Sequence, residues 1–255
     1  MGRKNGQGQQ EAKAVKPAGV PADLPAGAGL EQLGPSDLII PRLTLVQPTS
    51  QIDGVEAGKF YMNLTGEEFS ELDVVFLKVM KGRIYFAEDG ADRKAVCGSS
   101  DRVKPSPRFQ PPMAPACAEC SSARWNGKEP PDCSETYNLL GVTVETGLPF
   151  WWSVKSTAIA PTKRFLSAIA LRAHTGKNLF DAQVSMKAQL VTSPGKKFHK
   201  PVYSITWLKD SSAYRALYDR YAKEEIERTF MAEEAMNGGA TDVEGFDWKG
   251  GEQRR

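Results

Sequence analysis

The run LDVVFLKV, from Leu72 to Val79, is apolar at every position except Asp73 and Lys78. A strand with alternating apolar and polar side chains has one face in water, whereas a nearly continuous apolar run indicates a strand that is covered on both faces. We therefore expect this run to form the central strand of a sheet.

Shorter segments with strand character lie on both sides of this run. Turns rich in glycine and proline separate them, and Pro41 restricts the first segment to an edge of the sheet. The last two segments are expected to be joined by a loop over 193–200. Short strands with such turns are typical of small barrels and sandwiches. The segments are 38–46, 58–64, 82–86, 137–144, 149–155, 179–191 and 201–207.

Helical spacing occurs in two places. Phe165, Leu166 and Ile169 recur at helical intervals before Gly176, and a second, C-terminal helix is expected over 211–236. The sequence thus predicts a mainly β fold with minor α content. Its core is expected to be a small antiparallel barrel of about seven strands.

Composition divides the chain into four segments. Residues 1–36 are rich in Gly, Ala, Gln and Pro and lack a hydrophobic period, which predicts a disordered arm. The barrel domain is expected over 37–210, with an insertion at about 91–136. The helix at 211–236 follows it, and residues 237–255 are expected to form a flexible tail that combines acidic and aromatic residues.

All four cysteines lie in the insertion, with the spacing C-x19-C-x2-C-x12-C. The C-x2-C turn of Cys117 and Cys120 places two thiolates on one side of a loop, and Cys97 and Cys133 can complete a four-sulfur zinc site. Many prolines in this window oppose a regular helix or a central strand, so hydrophobic burial alone holds it poorly. We expect a structural Zn²⁺ that supplies the missing folding free energy.

Two other uses of the cysteines compete with zinc. Two disulfides would also account for four cysteines, but residues 1–10 are polar and glycine-rich and lack the apolar core of a signal peptide, which favours a reducing cytoplasm. Four unrelated buried thiols are the other alternative, and their confinement to one window argues against it. Because four sulfurs close the coordination shell, we expect the zinc to have no catalytic role.

The net charge of +2 hides a strong asymmetry along the chain. The segment 151–210 contains ten lysines and arginines and two acidic residues, whereas 232–248 contains five acidic residues and no basic one. A basic body with an acidic tail indicates a polyanionic partner. No apolar run is long enough to span a membrane, so we expect a cytoplasmic protein without a membrane partner.

Motifs that carry catalytic chemistry are absent from the sequence. We find no glycine-rich nucleotide loop, no G-x-S-x-G elbow and no H-E-x-x-H motif, and the chain has two histidines, His174 and His199. Asp101, near the cysteines, is expected to act as a turn or capping residue. The sequence therefore predicts a binding protein and not an enzyme.

Cations and aromatic rings are interleaved at several positions, as in proteins that bind single-stranded nucleic acid. Phe198 stands out because charged residues surround it in the expected loop. Trp151 and Trp152 alternate in direction, so one is expected in the core and the other outside. The expected phosphate-binding residues are Lys155, Arg164, Lys187, Lys196, Lys197 and Lys200, and the expected base-stacking residues are Tyr61, Tyr85, Trp152 and Phe198.

Three segments carry a resemblance to a known family. They are PRLTLVQ at 41–47, GKFYMNLTGE at 58–67, and C-x2-C-x4-W-x4-PP-x-C-x3-YN at 117–138. Together they resemble the zinc-containing single-stranded DNA-binding proteins of bacteriophages and mobile elements. The resemblance implies an OB-type barrel with a zinc subdomain, located in the bacterial host cytoplasm. It also implies an acidic C-terminal tail that recruits replication and recombination proteins.

The expected function is sequence-nonspecific binding and protection of single-stranded DNA in phage-type replication or recombination. Two other classes remain open. A zinc-ribbon adaptor would bind a host replication or transcription protein through the surface around Arg124, Trp125 and Lys128. A nuclease or recombination enzyme would cleave oligonucleotides in the presence of metal.

Overall fold

The computed structural model describes residues 39–50, 52–86, 95–107, 109, 111–193 and 195–222, and the single positions 29 and 32. The chain divides into two units, residues 1–34 and 35–255, and every element below belongs to the second. The expected disordered arm, apart from those two positions, and the acidic tail lie outside the described residues.

The described part of the second unit contains one sheet of nine strands and two α-helices. The strands are β1 (Arg42–Leu45), β2 (Phe60–Met62), β3 (Glu68–Phe69), β4 (Glu71–Phe86), β5 (Ala95–Ser99), β6 (Ser134–Thr143), β7 (Pro149–Val154), β8 (Ala182–Ser193) and β9 (Lys196–Trp207). The helices are α1 (Ile159–Ala170) and α2 (Ser212–Tyr221).

The strands follow the order β3-β2-β1-β7-β6-β4-β8-β9, and β5 also pairs with β4. Every pair is antiparallel except β1 with β7. Strands outweigh helices, so the prediction of a mainly β chain is confirmed. The sheet is curled, and this architecture is consistent with an OB-like barrel. No helix in the described ranges is long and apolar enough to cross a membrane.

The long strand β4 organises the sheet, as its apolar sequence predicted. Strand β6 pairs along one edge of β4, while the other edge is shared by β8, next to Glu71, and by β5, next to Phe86. A register shift between Phe76 and Lys78 inserts one extra residue into β4. Such bulges increase twist and allow a long strand to bend. One end of β4 thus belongs to the barrel, and the other supports the cysteine-containing insertion.

Apolar layers cover both faces of the curled sheet. The inner layer contains Phe76 and Trp152 and is covered by α1 through Phe165. The outer layer contains Trp151 and is covered by α2 through Leu217. Because both faces of β4 and β7 are buried, their sequences are apolar at consecutive positions and not at alternate ones.

Both expected helices are present, in whole or in part, within the described residues. Helix α1 begins at Ile159, before Pro161, which fits in the first helical turn because its missing N–H would have no partner there. Helix α2 is described from Ser212 to Tyr221, and the remainder of the expected helix lies outside the described residues.

Candidate functional site

The four cysteines converge on one cavity between β5 and the start of β6. Cys97 lies in β5, Cys133 directly precedes β6, and Cys117 and Cys120 lie in the connecting loop. All four line the same cavity together with Arg83 of β4. All four are free thiols. The structure therefore brings the predicted zinc ligands together.

Hydrogen bonds order the cysteine loop, and one of them joins the loop to the sheet. The amide of Cys117 donates to the carbonyl of Val103, and the amide of Cys133 donates to the carbonyl of Ser122, both with N···O distances of 2.9 Å. The guanidinium of Arg83 donates to a carbonyl of the same loop at 2.8 Å. These bonds replace the hydrophobic burial that the proline-rich loop lacks.

Asp101 shapes the turn after β5. Its carboxylate accepts hydrogen bonds from the amides of Val103 and Lys104, at 2.7 and 3.1 Å, and from the hydroxyl of Ser99 at 2.9 Å. Burial acts to raise the pKa of Asp101, but these hydrogen bonds outweigh it and hold the pKa below its ordinary value. This is the turn role that the sequence predicted.

The electrostatics of the cysteines also indicate that the sulfurs are neighbours. Burial raises the pKa of Cys97, and the nearby Cys117 and Cys120 raise it further. Burial raises the pKa of Cys133 to about 11, while Arg83 acts to lower it and the other three cysteines act to raise it. The charges of Cys117 and Cys120 thus act on both buried sulfurs, those of Cys97 and Cys133.

The donor set fits a structural zinc ion. Zn²⁺ binds four thiolates in a tetrahedral arrangement, and a nearby cation such as Arg83 would offset part of their negative charge. Within the described ranges, no group of three or more His, Cys, Asp or Glu side chains is already arranged to hold a metal ion. The four thiols line one cavity and would supply the four sulfur ligands of such an ion.

Four of the predicted nucleic-acid-binding residues share the outer face of the β8–β9 hairpin. Lys196, Phe198 and Lys200 alternate along β9, and Lys187 lies on the same face of β8. Lys196 is exposed, whereas Phe198 and Lys200 are half-buried. The ammonium of Lys187 lies 2.9 Å from a carboxylate oxygen of Glu71. Because Glu71 offsets the charge of Lys187, the remaining positive charge of this face comes from Lys196 and Lys200.

The prediction that 196–200 forms a loop is wrong. Ser193 pairs with Lys196, so the hairpin connection contains only residues 194 and 195. Gly195 has a φ of 74°, a left-handed conformation that glycine adopts readily in tight turns. As a consequence, Lys197 lies on the opposite face of the strand from Lys196, with Thr192 across from it.

The remaining predicted residues lie at separate places in the fold. Tyr61 is half-buried in β2, Tyr85 lies in the β4–β5 ladder beside the cysteine cavity, and Arg164 is exposed on α1. Lys155 follows β7, and its ammonium lies 5.9 Å from the ring centroid of Phe86. The predicted set therefore does not form one continuous surface.

The prediction that Trp152 stacks on nucleic-acid bases is wrong in this fold. The residue is 3% exposed, its ring is stacked on Phe76 with centroids 6.4 Å apart, and it meets Phe60 edge-on. Trp151 points to the other face, as expected from strand alternation, but α2 covers that face and leaves it 2% exposed.

A family model described as Pam3 phage gp34-like protein matches residues 9–227. The chain belongs to this family. It is therefore a phage-related protein, in agreement with the likeness to bacteriophage proteins found in the sequence. No curated protein and no solved structure matches the chain. The region that matches the Pam3 phage gp34-like family contains the cysteine cavity and the β8–β9 hairpin.

Sequence reasoning missed two contacts of this gp34-like chain. Gln47 bonds to the backbone of His199, and the ammonium groups of Lys81 and Lys163 both lie within 6 Å of the ring centroid of Tyr137. Each contact joins segments that are far apart in the chain, so no local pattern could have revealed it.

Proposed function

We propose that this phage-related protein binds single-stranded DNA without sequence preference and protects it during phage-type replication or recombination. The observation that carries this proposal is the row Lys196, Phe198 and Lys200 on the outer face of β9. Lysines neutralise phosphates, and an aromatic ring offers a face on which any base can stack. Neither contact reads base edges, which is why the proposed preference among sequences is weak.

The dimensions of the row suit an extended strand of nucleic acid. Same-face residues of a strand are about 6.6 Å apart, so the row extends over about 13 Å from Lys196 to Lys200. Val202 continues the row and is 40% exposed, and Val191 lies across from Phe198. The face therefore alternates cationic and apolar contacts along its length.

Fluorescence anisotropy of a labelled oligo-dT strand, titrated with zinc-loaded protein at low and moderate salt, tests this function. The single strand should bind more tightly than a duplex of equal length. Its log K should fall linearly with log salt, with a slope of about 0.7 per phosphate contact. Absence of binding to strand and duplex at low salt would overturn the proposal.

Adjacent residues of β9 supply a matched control for the proposed face. Lys196→Glu should weaken single-strand binding by roughly tenfold or more, because it replaces an attraction to phosphate with a repulsion. Lys197→Glu makes the same change in charge on the opposite face of β9 and should weaken binding much less. Phe198→Ala should cost about 1–3 kcal/mol of binding free energy. Leu190→Ala, on the face of Lys197, should cost little. Equal losses on both faces would show that binding depends on net charge alone.

We further infer that the four cysteines hold a structural Zn²⁺. The support for this is their shared cavity together with the proline-rich sequence of the loop. The zinc would brace the insertion against β4 and would take no part in chemistry.

A zinc-ribbon adaptor is a second candidate, and one observation favours it. Trp125 is 68% exposed beside the tight turn that joins Asn126 to Glu129. Exposed tryptophans are enriched among residues that dominate protein–protein binding. An adaptor would lose its complex with a host replication or transcription protein on Trp125→Ala and keep it on Lys196→Glu. The proposed DNA-binding function predicts the reverse pattern for oligo-dT.

A further inference from the structure

A basic cluster lies where β4, β6, α1 and the turn after β5 meet. Lys81 of β4 and Lys163 of α1 place their ammonium nitrogens 5.7 and 5.9 Å from the ring centroid of Tyr137. Both lysines are exposed, whereas Tyr137 is buried. The ring attracts both cations, so two exposed ammonium groups are held beside one aromatic side chain.

Glu135 neutralises the cluster only in part. Its carboxylate lies 3.0 Å from the ammonium of Lys163 and 3.1 Å from the guanidinium of Arg102. The hydrogen bond from Lys163 holds the pKa of Glu135 below its ordinary value, so the carboxylate is charged at neutral pH. Lys81 has no acidic partner among the described residues. Two of the three cations thus share one carboxylate, and the charge of Lys81 is not offset by an ion pair within the described residues.

We propose that Lys81, Lys163 and Arg102 form a second phosphate-binding site for single-stranded nucleic acid, which Glu135 weakens. This inference rests on the proposed function, because its ligand is the same strand. Ammonium and guanidinium groups donate charge-assisted hydrogen bonds to phosphate oxygens. In the free protein, Glu135 holds Lys163 and Arg102 in place, and a phosphate competes with it for both.

The position of the cluster distinguishes it from the hairpin face. Tyr137 belongs to the inner layer of the sheet, whereas Lys196 and Lys200 lie on the outer face of β9. A strand that reaches both sites must pass around an edge of the sheet. A long strand can do so, and a strand only as long as the hairpin face cannot.

The first arm of the test compares Lys81→Ala/Lys163→Ala with a control pair, Lys128→Ala/Lys209→Ala, which removes two exposed lysines elsewhere. Labelled oligo-dT strands of about 12 and about 40 nucleotides bracket the range of common site sizes. For the long strand, the slope of log K against log salt should fall by about 1.4 in the first pair, because two phosphate contacts are lost. The control pair should leave the slope unchanged, and the short strand should respond to neither pair.

The second arm removes the competing carboxylate. Glu135→Gln should tighten binding of the long strand and steepen its salt dependence, because Lys163 and Arg102 become available to phosphate. Glu145→Gln makes the same change in charge in the exposed turn beyond the far end of β6 and should tighten binding less. If the role of Glu135 were purely structural, Glu135→Gln would bind the long strand more weakly than the wild type or equally tightly.

The outcomes separate this inference from the proposed function. If Lys196→Glu weakens binding while the double alanine variant keeps the full salt slope, the second site is refuted and the hairpin function stands. If Glu135→Gln weakens binding of the long strand, the second site is likewise refuted, and this single variant decides the question even where the double variant does not fold. If neither hairpin nor cluster variants alter binding, both proposals fail.

Discussion

The side-chain amide of Gln47 pairs with both backbone groups of His199. The N–H of His199 donates to Oε1 of Gln47 at 2.8 Å, and Nε2 of Gln47 donates to the carbonyl of His199 at 3.0 Å. Gln47 follows β1 closely, and His199 lies in the edge strand β9. A primary amide thus takes the place of a paired strand residue where the segment after β1 approaches the edge strand β9.

Replacing this amide with a carboxylate tests its contribution to closure. Gln47→Glu keeps the acceptor for the N–H of His199 but loses the donor and places negative charge against its carbonyl. We expect a loss of about 1–3 kcal/mol in the free energy of unfolding, because the part-buried carbonyl of His199 loses its donor. Urea unfolding followed by tryptophan fluorescence measures this. The control Gln189→Glu, at an exposed site of the β8–β9 hairpin, should change the free energy of unfolding by less than about 0.5 kcal/mol. If the two variants lost the same free energy of unfolding, the bridge between Gln47 and His199 would contribute nothing of its own.

Gly58 packs beneath the same histidine, which leads to a second prediction. It has a φ of 94°, and a Cβ built there would lie 2.7 Å from Cε1 of His199. Gly54 has a φ of 79° and would meet nothing within 4 Å. Both alanine variants incur left-handed backbone strain, but Gly58→Ala must also displace the ring. It should therefore lower the free energy of unfolding by about 1–3 kcal/mol more than Gly54→Ala. Equal thermal midpoints for the two variants would contradict this packing.

The sequence predicted those features that depend on local pattern. The apolar run from Leu72 to Val79 identified the central strand, because a strand buried on both faces cannot alternate. The C-x2-C turn predicted a cysteine cluster, because it places two thiolates on one side of a loop. Cys97 and Cys133, the other two cysteines of the same window, can then complete a four-sulfur site. The structure places these thiols around one cavity.

Features that depend on tertiary contacts were not predictable. The burial of Trp152 depends on α1 covering one face of β7, and that of its neighbour depends on α2 covering the other. The charges of residues 196–200 favour a loop, but pairing that begins at Ser193 and Lys196 makes these residues part of β9. The contact between Gln47 and His199 joins residues 152 positions apart, a separation at which sequence patterns carry no information.

Metal removal is the third prediction. Zinc-loaded protein should contain about one Zn²⁺ per chain by atomic emission, and Cys133→Ser should lower this content because one of four ligands is lost. Chelation should lower the thermal midpoint of the wild-type protein, since metal binding to the folded loop contributes folding free energy. Ser121→Ala, in the turn after Cys120, is the control and should keep the metal. A metal-free wild-type protein whose midpoint is insensitive to chelator would refute the zinc proposal.

Asp181 provides the fourth prediction, on the dependence of stability on pH. Its carboxylate accepts a hydrogen bond from the amide of Asn178 at 2.6 Å and another from the hydroxyl of Ser211, next to α2. Burial acts to raise the pKa of Asp181, but these bonds outweigh it and hold the pKa below its ordinary value. The charged form is therefore favoured by folding. Its contribution is fully present above the unfolded pKa of about 3.9 and is lost as pH falls toward the lower folded pKa.

Asp181→Asn should therefore lower stability at neutral pH and flatten the fall in stability between about pH 5 and pH 2. The asparagine amide keeps one oxygen that can accept a hydrogen bond, but it has no titratable proton. The pH-dependent part of the free energy of unfolding that residue 181 contributes is therefore lost. Urea midpoints measured across this range report the slope directly. Asp53→Asn removes an exposed carboxylate and should leave the slope nearly as in the wild type. If Asp181→Asn and Asp53→Asn showed the same acid dependence, the carboxylate that joins the turn before β8 to the start of α2 would be a neutral structural contact and not a charged one.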